Sequence, residues 1–278
     1  MAPSINPNVT NLGMTHRSLQ MDALSQSTKQ LSSGLRISSA ADDAAGLAVG
    51  FSLRTEVRGF HQAVRNANDA VNLIQTADGG TSSQVEALIR MRSLAVQSAS
   101  DGVSDAERSH IMTEYTELLQ ELDRISEVTE FNGHTLLNGK GGNGKGRYDF
   151  QVGTDASKDS RVRVIIGKQA AKEIFGGVPI KIHTRKGAQK AIDQIDFGLD
   201  RLSTRRTVLG SKMNRLVAAS QNATHSAVNL QAGAAQQMDV NFGAASTDFA
   251  KSRVLMEANI SMQAHVNRNK SMALRLIG

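Results

Sequence analysis

The chain has 278 residues, enough for one or two domains, with 4% aromatics, 3 Pro and neither Trp nor Cys. Lacking Cys, it has no disulfide framework and no thiolate-held metal, and the shortage of aromatics points to thin helical packing with small residues at the contacts. A formal charge of +6 permits nucleic-acid binding, but acidic residues interleave with the basic ones, as in Glu121-Leu-Asp-Arg124 and Asp200-Arg201, so a solvated mixed-charge surface is expected.

In chain order, Met1 to Gln20 shows no basic-then-apolar signal pattern, and no apolar run is long enough to cross a bilayer. The expectation is a soluble chain that, if it leaves the cell, does so without an ordinary cleaved signal. Residues 1–31 carry a thin seam of Ile5, Val9, Leu12, His16, Leu19 and Ala23. Pro3 and Pro7 delay the helix to about Asn8. His16 falls on the apolar side and is expected to be a half-buried packing residue. With so many Ser, Thr and Gln, this helix should fray by itself.

Gly34 ends that helix, and Ser38, Ser39, Asp42 and Asp43 supply N-cap chemistry for an Ala-rich one, which makes an elbow. Residues 44–98 read as a long helix with Val64, Ala67, Val71 and Ile74 on one stripe. A break is expected at Asp78-Gly-Gly80, with Val85, Leu88, Met91 and Ala95 resuming the stripe. Ser104-Asp-Ala-Glu107 is a capping box opening a helix whose seam is Ile111, Tyr115, Leu118, Leu122 and Ile125.

From 131 to 187 the texture changes. Phe131-Asn-Gly-His134 is a turn. Tyr148–Val152 and Arg161–Ile166 alternate with period two around a Gly/Asp/Ser turn, which is a β-hairpin. Gly139-Lys-Gly-Gly-Asn-Gly-Lys145 comes close to a phosphate-binding loop and fails: Gly146 stands where Ser or Thr must hold the metal, and a strand follows instead of a helix.

The stretch from Ala191 to Gln237 dominates the chain. Ile192, Ile195, Leu199, Leu202, Arg206, Leu209, Met213 and Leu216 begin a heptad seam, which Ser220, Ala223, Ala227, Leu230, Ala234 and Gln237 complete. A 3.5-residue period held over about six repeats puts one stripe along a helix that must find partners. At about 1.5 Å per residue it would run roughly 70 Å. An interruption at Met238–Gly243 precedes a last helix, which Asp248 is expected to cap and which bears Phe249, Met256, Ile260, Leu274 and Ile277. The fold class expected is mainly α: a long coiled-coil-like helical bundle rod with one small β-hairpin at about 148–166, its N- and C-terminal helices paired. The seven His are scattered with no His-Glu-x-x-His pair, so no catalytic, cofactor-binding or metal residues are expected.

Ser32-Ser-Gly-Leu-Arg-Ile-Ser-Ser-Ala-Ala-Asp-Asp-Ala-Ala-Gly-Leu-Ala-Val49 resembles the N-terminal signature of bacterial flagellins. The resemblance continues, in the family's order, through Phe60–Ala70, Val85–Gln97, Glu130-Phe-Asn-Gly133 and Gln151-Val-Gly153, and covers nearly all of residues 1–135 and 190–278. It implies a non-enzymatic structural subunit that polymerises into the flagellar filament for motility, without the large outer domains. Residues 1–44 and 239–278 would be the two halves of an inner-tube domain. Residues 45–190 would be the N-terminal part of a rod, and 191–238 its C-terminal helix.

The resemblance further implies type III flagellar export to the extracellular filament, unfolded and with no cleaved signal peptide, and folding on assembly. The partners implied are copies of the chain, an export chaperone, the filament cap and hook-junction proteins, without nucleic acid or membrane insertion. Arg90 and Leu94 in Leu88-Ile-Arg-Met-Arg-Ser-Leu94, and Glu114 in Thr113-Glu-Tyr115, align with family positions engaged by the vertebrate innate flagellin receptor. Two rival readings are a hook–filament junction protein, which shares the terminal helices, and a basic coiled-coil DNA-binding or scaffold protein. The second needs a contiguous Lys/Arg stripe. Ala40-Ala-Asp-Asp-Ala-Ala-Gly46 favours the filament subunit over the junction protein.

Overall fold

The computed structural model describes residues 7–142 and 144–277, without the side chains of 7–11, 270, 273, 274, 276 and 277. The elements are helices α1 (Pro7–Ser33), α2 (Ala44–Ala99) and α3 (Asp105–Val128), strands β1 (Glu130–Phe131), β2 (His134–Thr135), β3 (Arg147–Gln151) and β4 (Arg161–Ile165), then α4 (Ala171–Ile174), α5 (Arg185–Met238) and α6 (Phe242–Ile277). They fall into two compact units, one of Met1–Thr55 with Asn229–Gly278, the other of Glu56–Val228.

In the 56–228 unit, α2, α3 and α5 supply most of the core. Leu88, Met91, Tyr115, Leu122, Ile195 and Leu202 share one buried cluster. A second gathers Ile74, Ala77, Leu136, Val164, Ile166 and Leu209. The seam read in α5 is borne out within this unit, since every position from Ile192 to Ala227 is buried or half-buried. Its one charge, Arg206, is held by Asp78 of α2 at 2.8 and 3.0 Å, so a polar side chain survives in the stripe with both guanidinium arms paired. The capping box forms as read: Ser104 accepts from the Glu107 backbone N–H, and the Glu107 carboxylate accepts from that of Ser104.

No break occurs at Asp78-Gly-Gly80; α2 runs through it. A Cβ on Gly80 would lie 2.6 Å from Thr129 Oγ1 and 2.9 Å from Leu137 Cδ1, whereas one on Gly79 meets nothing within 4 Å. Gly80 is there to let the end of α3 approach, and the helix keeps its hydrogen bonds because packing outweighs the glycines' poor propensity. Gly79→Ala should therefore stabilise the protein by about 0.5–1 kcal/mol. Gly80→Ala should destabilise it by about 1–3 kcal/mol through overpacking. Urea unfolding of both variants checks this, and equal stabilisation would refute the account of Gly80.

The β-region follows the reading closely. Asn132 (φ 50°) and Gly133 (φ 73°) turn β1 into β2, the left-handed pair a two-residue hairpin needs. β3 and β4 pair antiparallel, with Val162 and Val164 buried and Arg161, Arg163 and Ile165 outward. Asp149 opposes Arg163, whose Nε donates at 2.7 Å; that hydrogen bond holds the Asp149 carboxyl below the usual carboxylate range. The glycine-rich stretch around Gly139–Gly146 leads into β3 and not into a helix.

In the other unit the two interhelical links are laced together. Gly34 (φ 71°) ends α1, and the chain then runs against the link between α5 and α6. Arg36 N donates to Met238 O at 2.7 Å and Val240 N to Gly34 O at 3.0 Å. The elbow carries the expected caps. Asp43 Oδ1 accepts from Gly46 N at 2.9 Å, and Asp42 accepts from the backbone N–H and hydroxyl of both Ser38 and Ser39, which holds its carboxyl below the usual range.

Two readings of this unit are corrected. Asp248 does not cap the last helix: α6 already starts at Phe242, where Asn241 Oδ1 accepts from Gly243 N and Ala244 N at 3.1 and 3.3 Å. And although α1 packs on α6, Leu12, His16, Leu19 and Ala23 are all exposed; Ile5 lies outside the described residues, as does the side chain of Val9. The less exposed positions of α1 are instead Gln20, Leu24, Ser27 and Leu31, and Gln20 accepts a hydrogen bond from Asn259 of α6. That partner face holds Phe249, Ser252, Met256 and Asn259 at partial burial, so Leu24 and Leu31 meet a mixed apolar and polar surface while the predicted seam stays outside.

Candidate functional site

Arg90 and Leu94 are one helical turn apart on α2, and Glu114 stands on α3. The structure divides the trio. Arg90 Nε donates to Glu114 Oε1 at 2.7 Å, forming an ion pair whose side chains are about half exposed. Leu94 is 3% exposed, in the cluster with Met91, Ile111 and Tyr115. Burial pushes the Tyr115 phenol up to about 12. A partner approaching this face therefore meets the Arg90–Glu114 pair and the exposed Ile89, while Leu94 supports the backbone beneath. Leu94→Ala should cost about 2–5 kcal/mol of stability. Arg90→Ala should cost less than about 1 kcal/mol, since a solvated pair contributes little. Urea denaturation separates the two, and similar losses would contradict this division.

The terminal helices present a different surface. Leu12 (63% exposed), Leu19 (60%), Val254 (64%) and Met262 (64%) lie open to solvent, together with Met14, Met21, Phe242, Leu255 and Ile260. Met21, Leu24, Thr28 and Met256 line an open groove of about 580 Å³. So many large apolar side chains on one pair of helices mark a surface that another molecule covers. The sequence pattern marks Leu12 and Leu19 as a seam but does not mark Val254 and Met262. Their signal is that α6 carries large apolar residues beyond the one face it turns to α1. Among the described residues no His, Asp and Glu gather into a metal-holding group, and no helix is long and apolar enough to cross a membrane.

A chain whose first and last helices pair while keeping large apolar faces open is a subunit to be completed by neighbours. Comparison with known proteins says of which family. Residues 5–141 match the bacterial flagellin N-terminal helical region and 192–277 the bacterial flagellin C-terminal helical region. A flagellar filament core protein of Brachyspira hyodysenteriae is 36% identical over 264 residues, spanning 91% of this chain and 92% of its own. Flagellins of Halalkalibacterium halodurans and Bacillus subtilis are 34% and 33% identical, each over 98% of this chain and 99% of theirs. The crystal structure of Bacillus cereus flagellin aligns with a TM-score of 0.51 at 26% identity, over 61% of this chain and 94% of that one. This chain belongs to the bacterial flagellin family. A putative flagellar hook-associated protein from Vibrio parahaemolyticus shares the fold at a TM-score of 0.59 and 16% identity, covering 71% of this chain and 100% of that one.

Proposed function

We propose that this chain is a structural subunit that polymerises with its own copies into a flagellar filament, and that polymerisation covers the open faces of α1 and α6. The observation that carries this is the exposure of Leu12, Leu19, Val254 and Met262 within the two regions that match the family. In this reading residues 1–44 and 239–278 are the two halves of the filament's inner tube. Residues 45–190 and 191–238 are the two parts of its rod. A head-to-tail contact between identical subunits that does not close on itself generates a helix.

The weak pairing of α1 with α6 supports a further step. Gln20, Ser27, Ser252 and Asn259 occupy much of the partly covered surface, so these helices gain little by pairing alone. They would travel unfolded through the flagellar type III route, held at the C-terminal segment by a chaperone, and fold under the filament cap as neighbours supply buried area. In the 56–228 unit, the exposed Arg90–Glu114 pair on α2 and α3 is what an innate flagellin receptor would read. Loss of reporter-cell signalling in Arg90→Ala and Glu114→Ala variants with normal filaments would support that, and unchanged signalling would refute it.

The filament itself is tested by electron microscopy of the purified protein before and after short filament seeds or a precipitating salt are added. Long tubes are expected from the full chain, and none from variants lacking α1 or α6. A protein that stays monomeric or forms small rings under every condition would point to a junction protein instead.

A further inference from the structure

Of the chain's ten methionines, all but Met91, Met112 and Met213 lie in the unit of Met1–Thr55 with Asn229–Gly278. Within that unit Met238 is 2% exposed, yet Met14 (50%), Met21 (47%), Met262 (64%) and Met272 (51%) are open. In the 56–228 unit none is as open: Met91 is fully buried, and Met112 and Met213 are partly covered. The exposed thioethers thus sit on α1 and α6, the helices that also expose Leu12, Leu19 and Val254. The chain has neither Cys nor Trp, so no thiol or indole competes for an oxidant.

We propose that Met14, Met21, Met262 and Met272 form an oxidation site through which a hydroperoxide stops the free subunit from assembling. The inference rests on the filament reading, because it takes the covered surface to be that of α1 and α6. The sulfur lone pair attacks the distal oxygen of hydrogen peroxide; an S–O bond forms, the O–O bond breaks, and a proton moves to the departing oxygen to give water. Each methionine loses two electrons and becomes a sulfoxide, and the peroxide is reduced. A flexible apolar side chain, suited to fit whatever neighbour arrives, is replaced by a polar, chiral one that resists burial. In a filament the same sulfurs are covered, so the sensitivity belongs to subunits not yet assembled, and methionine sulfoxide reductase restores them.

The test treats the full-length free subunit with hydrogen peroxide, maps the added oxygens by peptide mass spectrometry, and measures elongation on untreated seeds. Met14, Met21, Met262 and Met272 should each gain one oxygen while Met91 and Met238 gain none. Elongation should slow on the order of tenfold or more, because each methionine loses much of its gain on burial, and the reductase should reverse the loss. A variant carrying Met14→Leu, Met21→Leu, Met262→Leu and Met272→Leu keeps the apolar volume and should elongate equally before and after peroxide. The inference is overturned if oxidised wild-type protein elongates normally, or if the leucine variant loses elongation on peroxide as well. Untreated protein that never elongates would instead overturn the filament reading, and this inference with it.

Discussion

A variant carrying both Leu12→Asp and Leu19→Asp should lose seeded elongation by on the order of a thousandfold or more, because each carboxylate would be buried without a partner in the assembled state. Leu12 and Leu19 are 63% and 60% exposed in the free chain, so the same changes cost the free protein little. Surface substitutions away from special features usually stay within about 0.5 kcal/mol. The two effects separate cleanly: α1 belongs to the terminal unit, so the urea midpoint of the 56–228 unit should not move. Light scattering on added seeds, with electron microscopy of the products, reads the first quantity. Normal filaments from the double variant would remove these residues from the assembly surface.

Leu202→Ala should lower the stability of the 56–228 unit by about 3–4 kcal/mol, in the middle of the range for a buried leucine cut back to alanine. Leu202 is fully buried on the α5 seam, in the cluster with Leu88, Leu122 and Ile195. The packing around it is a thin layer of α2, α3 and α5 with no thick core to close over the resulting void, which argues against the low end of that range. Val208→Ala, on the same helix but 47% exposed, is the control and should stay within about 0.5 kcal/mol. Urea denaturation followed by circular dichroism gives both numbers, and equal effects would mean the seam carries no special share of the stability.

The α5 seam was legible because a repeat held from Ile192 to Leu216 leaves one consistent way to bury a helix. The capping box at Ser104 and Glu107, the Asn132-Gly133 turn and the β3–β4 hairpin were legible for a related reason. Each is an arrangement of neighbours in the chain, satisfied by hydrogen bonds or alternation within a few residues. Where a reading went astray, a distant partner decided. Gly79 and Gly80 look like a break, yet α2 passes through them because Thr129 and Leu137 occupy the room that Gly80 leaves. Asp248 is an adequate cap, but the turn against Gly34 and Arg36 lets α6 start earlier, at Phe242 with Asn241 as its cap.

The candidate site divides along the same line. Arg90, Leu94 and Glu114 could be named from family motifs, but that the first and last pair on the surface while Leu94 supports them from inside depends on how α2 meets α3. For the terminal helices, the amphipathic pattern alone established that α1 and α6 are helical and thin. Which face turns inward was settled by what each offers the other: Leu24, Ser27 and Leu31 are covered with Phe249, Ser252 and Met256, and Leu12, Leu19, Val254 and Met262 are left outside. Local periodicity determines where helices and turns form because those hydrogen bonds close within the chain's own neighbourhood. The choice among several apolar faces belongs to tertiary structure, since burial free energy depends on the partner surface and not on the helix that carries the stripe.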